Sequence, residues 1–107
     1  MILTTTAEVP GYAIGEILGV VFGNTVRTKN IGKDVMAGLK SVVGGELQEY
    51  TSMLSDARTE SYNRMVNAAH DLGADAVVNI RFTTSQTMST AAELLAYGTA
   101  VKLVPKK

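Results

Sequence analysis

From residue 46 to residue 72 the chain runs without a proline or a glycine, and small or apolar side chains return every three or four positions. They are Leu47, Tyr50, Leu54, Ala57, Ser61, Met65, Ala68 and Leu72. That alternation keeps them on one stripe of a 3.6-residue helix, and Met53, Val66 and Ala69 widen the stripe. Gln48, Glu49, Ser52, Asp56, Thr59, Asn63 and Asn67 fall largely outside it and form the wet face. At a rise of 1.5 Å per residue the helix is about 40 Å long. Glu46 and Glu49 in its first turn and His70 in its last suit the helix dipole, and Glu60 and Arg64 stand in the favourable order for an i,i+4 ion pair. Gly73 supplies a left-handed stop. The β-branched run from Ala76 to Thr84 then reads as a strand. Helix, glycine and mostly apolar strand make the second half of a crossover unit, which requires an earlier strand in the same sheet.

That earlier strand lies at residues 12–27, YAIGEILGVVFGNTVR, after a short opening strand at 2–5 and the Pro10-Gly11 turn. The four-residue spacing of Gly11, Gly15, Gly19 and Gly23 invites a membrane-helix reading. The run is too short for a span, however, and Glu16 sits inside it. As a strand, Gly15, Gly19 and Gly23 share a face with Ala13, Ile17 and Val21, and Tyr12, Ile14, Leu18, Val20 and Phe22 mostly load the other. A face stripped to glycine lets the long helix approach closely, and so many glycines predict a bulge or bend. Residues 28–32 read as a loop and 34–43 as a short helix before Gly44-Gly45. SQTMSTAA, residues 85–92, reads as a mobile polar connection. Glu93 to Val104 is a last strand, antiparallel to the one before it, with Leu95, Tyr97, Thr99, Val101 and Leu103 on one face.

The expected fold is α+β, a single domain over residues 1–107, with the long helix packed on a small mixed or antiparallel sheet. One helix covers one sheet face, yet the strands at 12–27 and 93–104 are apolar on both. The uncovered face is therefore expected to meet another copy of the chain. Ten basic residues balance ten acidic ones, so nothing in the charge points to nucleic acid or a membrane surface. With no cysteine, disulfides, thiolate metal sites and thiol nucleophiles are excluded. The N-terminus shows no signal peptide, and the cytoplasm is the expected compartment.

The runs TVRTKNIGKD (25–34), GGELQEY (44–50), DAR (56–58), RM (64–65), LGADAVVNIRF (72–82) and AYGTAV (96–101) together resemble the YbjQ-like family over nearly the whole chain. The resemblance implies a small α+β fold related in outline to dodecin subunits, homopentameric rings and a cytoplasmic setting. The family carries a heavy-metal-binding label and no established reaction. The chain departs from it at Asn79, where glycine is expected.

No motif discloses a reaction: the chain has no phosphate-binding glycine loop and no nucleophile elbow. Heavy metals favour thiolate and imidazole, and the only such side chain is His70, which reads as a partner for the last helix carbonyls. Met53 and Met65 read as core. The glycine pair opening the helix either presents free N–H groups to an anion or allows a kink and close packing. Glu46, Tyr50 and Arg58 follow along neighbouring turns, and the candidate ligand-binding set is Gly44, Gly45, Glu46, Tyr50, Arg58 and Glu93. Asp56 and Glu60 read as solvated, and Glu16 as an ion-pair partner of Arg27, Arg58, Arg64 or Arg81. No cofactor is identified, and a metal enters only through the family label. The expectation is a non-enzymatic homo-oligomeric ring, pentameric by resemblance, that binds a small ligand or ion or scaffolds a partner. The alternative is an enzyme whose site, drawn from Glu46, Tyr50, Arg58 and Glu93, forms between subunits.

Overall fold

The computed structural model describes residues 1–28, 45–88 and 91–106, with the side chains of 28, 45–50, 86–88 and 91 left undescribed. The helix expected at 34–43 lies outside the described residues. The described elements are β1 (Ile2–Leu3), β2 (Tyr12–Thr28), α1 (Gly45–Asp71), β3 (Ala76–Met88) and β4 (Ala91–Pro105). The sheet order is β1-β3-β4-β2, with β4 antiparallel to both β2 and β3 and β1 parallel to β3. The expected crossover is thus present, and β4 is inserted between its two parallel strands. The fold is α+β, with one helix on a four-stranded mixed sheet.

The helix forms where the stripe predicts and buries the centre of that stripe. Ala57, Ser61, Met65 and Ala69 are buried, whereas Ser52, Asp56, Thr59, Asn63 and Asn67 are exposed. Leu72 departs from the stripe. The helix stops at Asp71, Gly73 takes φ +75°, and Leu72 is left 48% exposed beyond the last turn. Met65 and Ala69 pack with Val21, Val77, Ile80, Ala96 and Ala100 in the main core. A second cluster joins Ala57, Ala92 and Leu94 under the first half of the helix. Ser61 is fully buried, and its hydroxyl, with one proton to give, lies 2.8 Å from the Ala57 carbonyl and 3.0 Å from the Leu94 carbonyl.

Gly23 explains how helix and strand meet. A Cβ there would stand 2.2 Å from the Ser61 carbonyl oxygen and 2.6 Å from the Met65 nitrogen, so the helix backbone lies directly on the strand. Irregularities in β2 between Ile14 and Glu16 and between Ile17 and Gly19 change the facing expected for its first half. Leu18 packs into the helix-side core, while Ile17, paired with Val101, turns to the opposite face. There Val9 from the N-terminal segment covers Ala76, Val78 and Val101.

Of the connection expected at 85–92, residues 85–88 and 91–92 are instead strand. β3 continues to Met88 and β4 begins at Ala91, so the two form a long hairpin. Ser85, where that stretch begins, is exposed, and the polar run that follows carries no apolar alternation to mark a strand. The molecule is accordingly elongated, 62 × 22 × 16 Å, with a radius of gyration of 18.0 Å. No helix among the described residues is long and apolar enough to cross a membrane.

Candidate functional site

The sheet face away from α1 carries an uncovered apolar surface. Cross-strand pairing sets Val20 opposite Thr99, Phe22 opposite Tyr97, Asn24 opposite Leu95 and Val26 opposite Glu93. Alternation along β4 sends Ala92, Leu94, Ala96 and Ala100 into the helix-side cores, which turns Glu93, Leu95 and Tyr97 outward. Val20, Phe22, Asn24, Glu93, Leu95 and Tyr97 line an open groove of about 490 Å³. Its floor is apolar: Val20 is 66% and Phe22 61% exposed, and Ile17 and Val26 prolong the strip along β2. Asn24 and Glu93 are the polar groups at one end and the Tyr97 phenol the one at the other. Such a groove can hold an apolar body and orient it through a carboxylate and an amide.

A second, smaller pocket of about 330 Å³ is lined by Arg27, Ser52, Met53 and Asp56 on the helix side. Beside it Glu60 bridges two cations, accepting from Arg27 Nη2 and from Arg64 Nη2. Arg64 also donates to the Asn24 carbonyl at 2.6 Å. The i,i+4 pair of Glu60 and Arg64 forms as its spacing predicts, but Glu60 is half-buried in an ion network rather than freely solvated. Glu16 does not take an arginine. It is exposed opposite Lys102, while Arg27 and Arg64 are held by Glu60 and Arg81 donates to the Thr5 and Ile80 carbonyls, each at 2.8 Å.

Of the residues singled out in the sequence, Gly44 lies outside the described residues, and Gly45, Glu46 and Tyr50 are placed only as the first turns of α1. Arg58 is exposed on the helix, and Glu93 is half-buried on the opposite sheet face. One chain therefore does not bring Arg58 and Glu93 together. His70 is exposed in the last helical turn. Among the described residues no group of three or more His, Cys, Asp or Glu side chains converges. The described residues of one chain therefore do not supply the three or four ligands that a heavy-metal centre requires.

The groove residues Val20, Phe22, Asn24, Leu95 and Tyr97 were visible in the sequence only as two-sided apolar strands. The other missed feature is an aromatic pair on the helix side of β3, Tyr62 and Phe82, stacked with centroids 6.2 Å apart. A register shift between Val78 and Arg81, with Asn79 at φ +55°, turns Phe82 to that side. Without the extra residue, period-two alternation from Val77 would send Phe82 to the other face. The glycine expected at position 79 was the one signal of this bend.

Comparison with known proteins gives a consistent result. The pattern of a family described as "Putative heavy-metal-binding" (YbjQ) matches residues 1–104. A UPF0145 protein of Methanoculleus marisnigri is 80% identical over 107 residues, covering 100% of both chains. UPF0145 proteins of Archaeoglobus fulgidus (69% identical, 96% of this chain and 95% of that one) and Shewanella frigidimarina (59% identical, 100% of both) are also similar. A crystal structure of a Pediococcus pentosaceus protein of unknown function from the DUF74 family shares the fold. Its TM-score is 0.62 at 16% identity, over 97% of this chain and 98% of that one.

Proposed function

Because the chain belongs to the YbjQ family of UPF0145 proteins, we propose that it is a non-enzymatic subunit of a cytoplasmic homo-oligomeric ring, pentameric and dodecin-like in outline. In this reading the ring holds a small ligand or ion at its subunit boundaries. The observation that carries the reading is the shape. A compact chain of this length has a radius of gyration of about 13 Å, against 18.0 Å here. A subunit so drawn out, with one sheet face largely uncovered, gains its compactness from neighbours. A ligand at the boundary meets Asn24 and Glu93 at the polar end of the groove.

A metal, as the family description suggests, would need ligands beyond the described residues of one chain, from further residues or from other copies. Native mass spectrometry of untagged protein tests the reading. The expected spectrum shows an assembly carrying a bound small molecule or ion, lost in Glu93→Gln while the assembly persists. Assemblies free of any adduct would contradict the ligand half of the proposal. An adduct turned over on incubation would favour an enzyme sited between subunits.

A further inference from the structure

We propose that a pocket where the N-terminal segment meets the start of β2 and the end of β4 binds a small zwitterion, a free amino acid with an apolar side chain. Its ammonium group sits on Glu8 and its carboxylate on Lys106. Glu8, Val9, Tyr12, Ala13, Ile14 and Lys106 line about 230 Å³ there. The pocket shares no lining residue with the groove, so the proposal goes beyond the reading above.

The backbone that carries these groups is fixed by the sequence. Pro10-Gly11 turns the chain: the Tyr12 N–H donates to the Val9 carbonyl at 3.0 Å and Gly11 takes φ +85°. Proline second and glycine third is the pattern of a type II turn. Val9, at the start of the turn, is buried with Ala76, Val78 and Val101, which anchors the segment on the sheet. The Thr6 hydroxyl donates to the Glu8 carbonyl at 2.7 Å, and the Lys106 N–H donates to the Gly11 carbonyl at 2.9 Å. Glu8 and Lys106 thus project from hydrogen-bonded backbone in two segments that meet at one pocket.

Charge and size select the occupant. The ion pairs among the described residues are Arg27–Glu60, Arg64–Glu60 and Lys102–Asp75, so Glu8 and Lys106 line one pocket without pairing to each other. A carboxylate alone selects a cation and an ammonium alone an anion. The two together, beside an apolar wall, select a molecule that carries both charges and an apolar body. Tyr12 is 40% and Ile14 43% exposed, so an aliphatic side chain laid against them removes apolar surface from water. The volume lies below the roughly 300–1,000 Å³ of sites for drug-sized ligands, which limits the occupant to about one amino acid.

Calorimetric titration of untagged full-length protein with L-leucine tests the proposal. The controls are 3-methylbutylamine and 4-methylpentanoate, which keep the side chain and one charge each. Glu8→Gln and Lys106→Met, both at exposed positions, are expected to leave the circular dichroism spectrum and the molar mass unchanged. Leucine is expected to bind the parent, with each variant and each one-charge control at least about tenfold weaker for the loss of a charge-assisted hydrogen bond. No heat from leucine at millimolar concentration, unchanged affinity in either variant, or a one-charge control that binds as well as leucine would overturn the proposal. The controls are titrated into parent protein and decide the matter even where a variant fails to fold.

Discussion

At Gly23 the strand has no room for a side chain, because the intruding atom would meet helix backbone rather than a movable side chain. Gly23→Ala is expected to destabilise the fold by about 3 kcal/mol or more, at the upper end of overpacking effects. Chemical denaturation monitored by circular dichroism checks this, and a variant as stable as the parent would refute the close approach. Asn79 presents the reverse case, a side chain held where glycine is usual. Its φ of +55° lies in the left-handed region, and its N–H donates to the Thr6 carbonyl at 3.0 Å. Asn79→Gly is expected to change stability by less than about 1 kcal/mol, whereas the β-branched Asn79→Val should cost ~1–2 kcal/mol. Equal tolerance of the two in the same melts would count against the bend. At this scale the sequence carried a partial message: a glycine was expected at position 79, but its consequence, Phe82 turned to the helix side, required the backbone.

Among the elements, the long helix was legible nearly to the residue because its stripe, its i,i+4 pair and Gly73 all agree on one structure. The hairpin tip was not. The strand is legible as far as Thr84, but from Ser85 onward the sequence turns polar, so the strand there looks like a loop to any argument from hydrophobic alternation. Facing within β2 was equally hidden, since each irregularity reverses the alternation and the sequence shows glycines without saying which of them bends. The candidate site suffered from the same limit. Glu93 was recognised as a residue of interest, but its companions Phe22 and Tyr97 join it only through the β2–β4 register. Arg58, on the helix, stays apart from it. The His70 position also belongs to this scale: an exposed imidazole in the last turn, without converging partners among the described residues, makes a weak ligand. Calorimetric titration with Zn²⁺, Cu²⁺ or Ni²⁺ is expected to show no binding tighter than micromolar. Tight binding abolished by His70→Ala would contradict this and support a centre shared between copies.

For the whole molecule, sheet and helix account for one face, the N-terminal segment covers part of the other, and the strip from Ile17 to Val26 with Leu95 and Tyr97 stays open to water. Burying it between copies converts an exposed apolar surface into the remainder of the core, at about 25 cal/mol per Å² removed from water. Folding and assembly are then expected to be coupled, with a melting temperature that rises with protein concentration. The most direct measurement is the molar mass in solution, by multi-angle light scattering of untagged protein at micromolar concentration. A single species at a multiple of 11.3 kDa is expected, with five copies in the ring; a stable, compact species of 11.3 kDa would rule out the proposed ring.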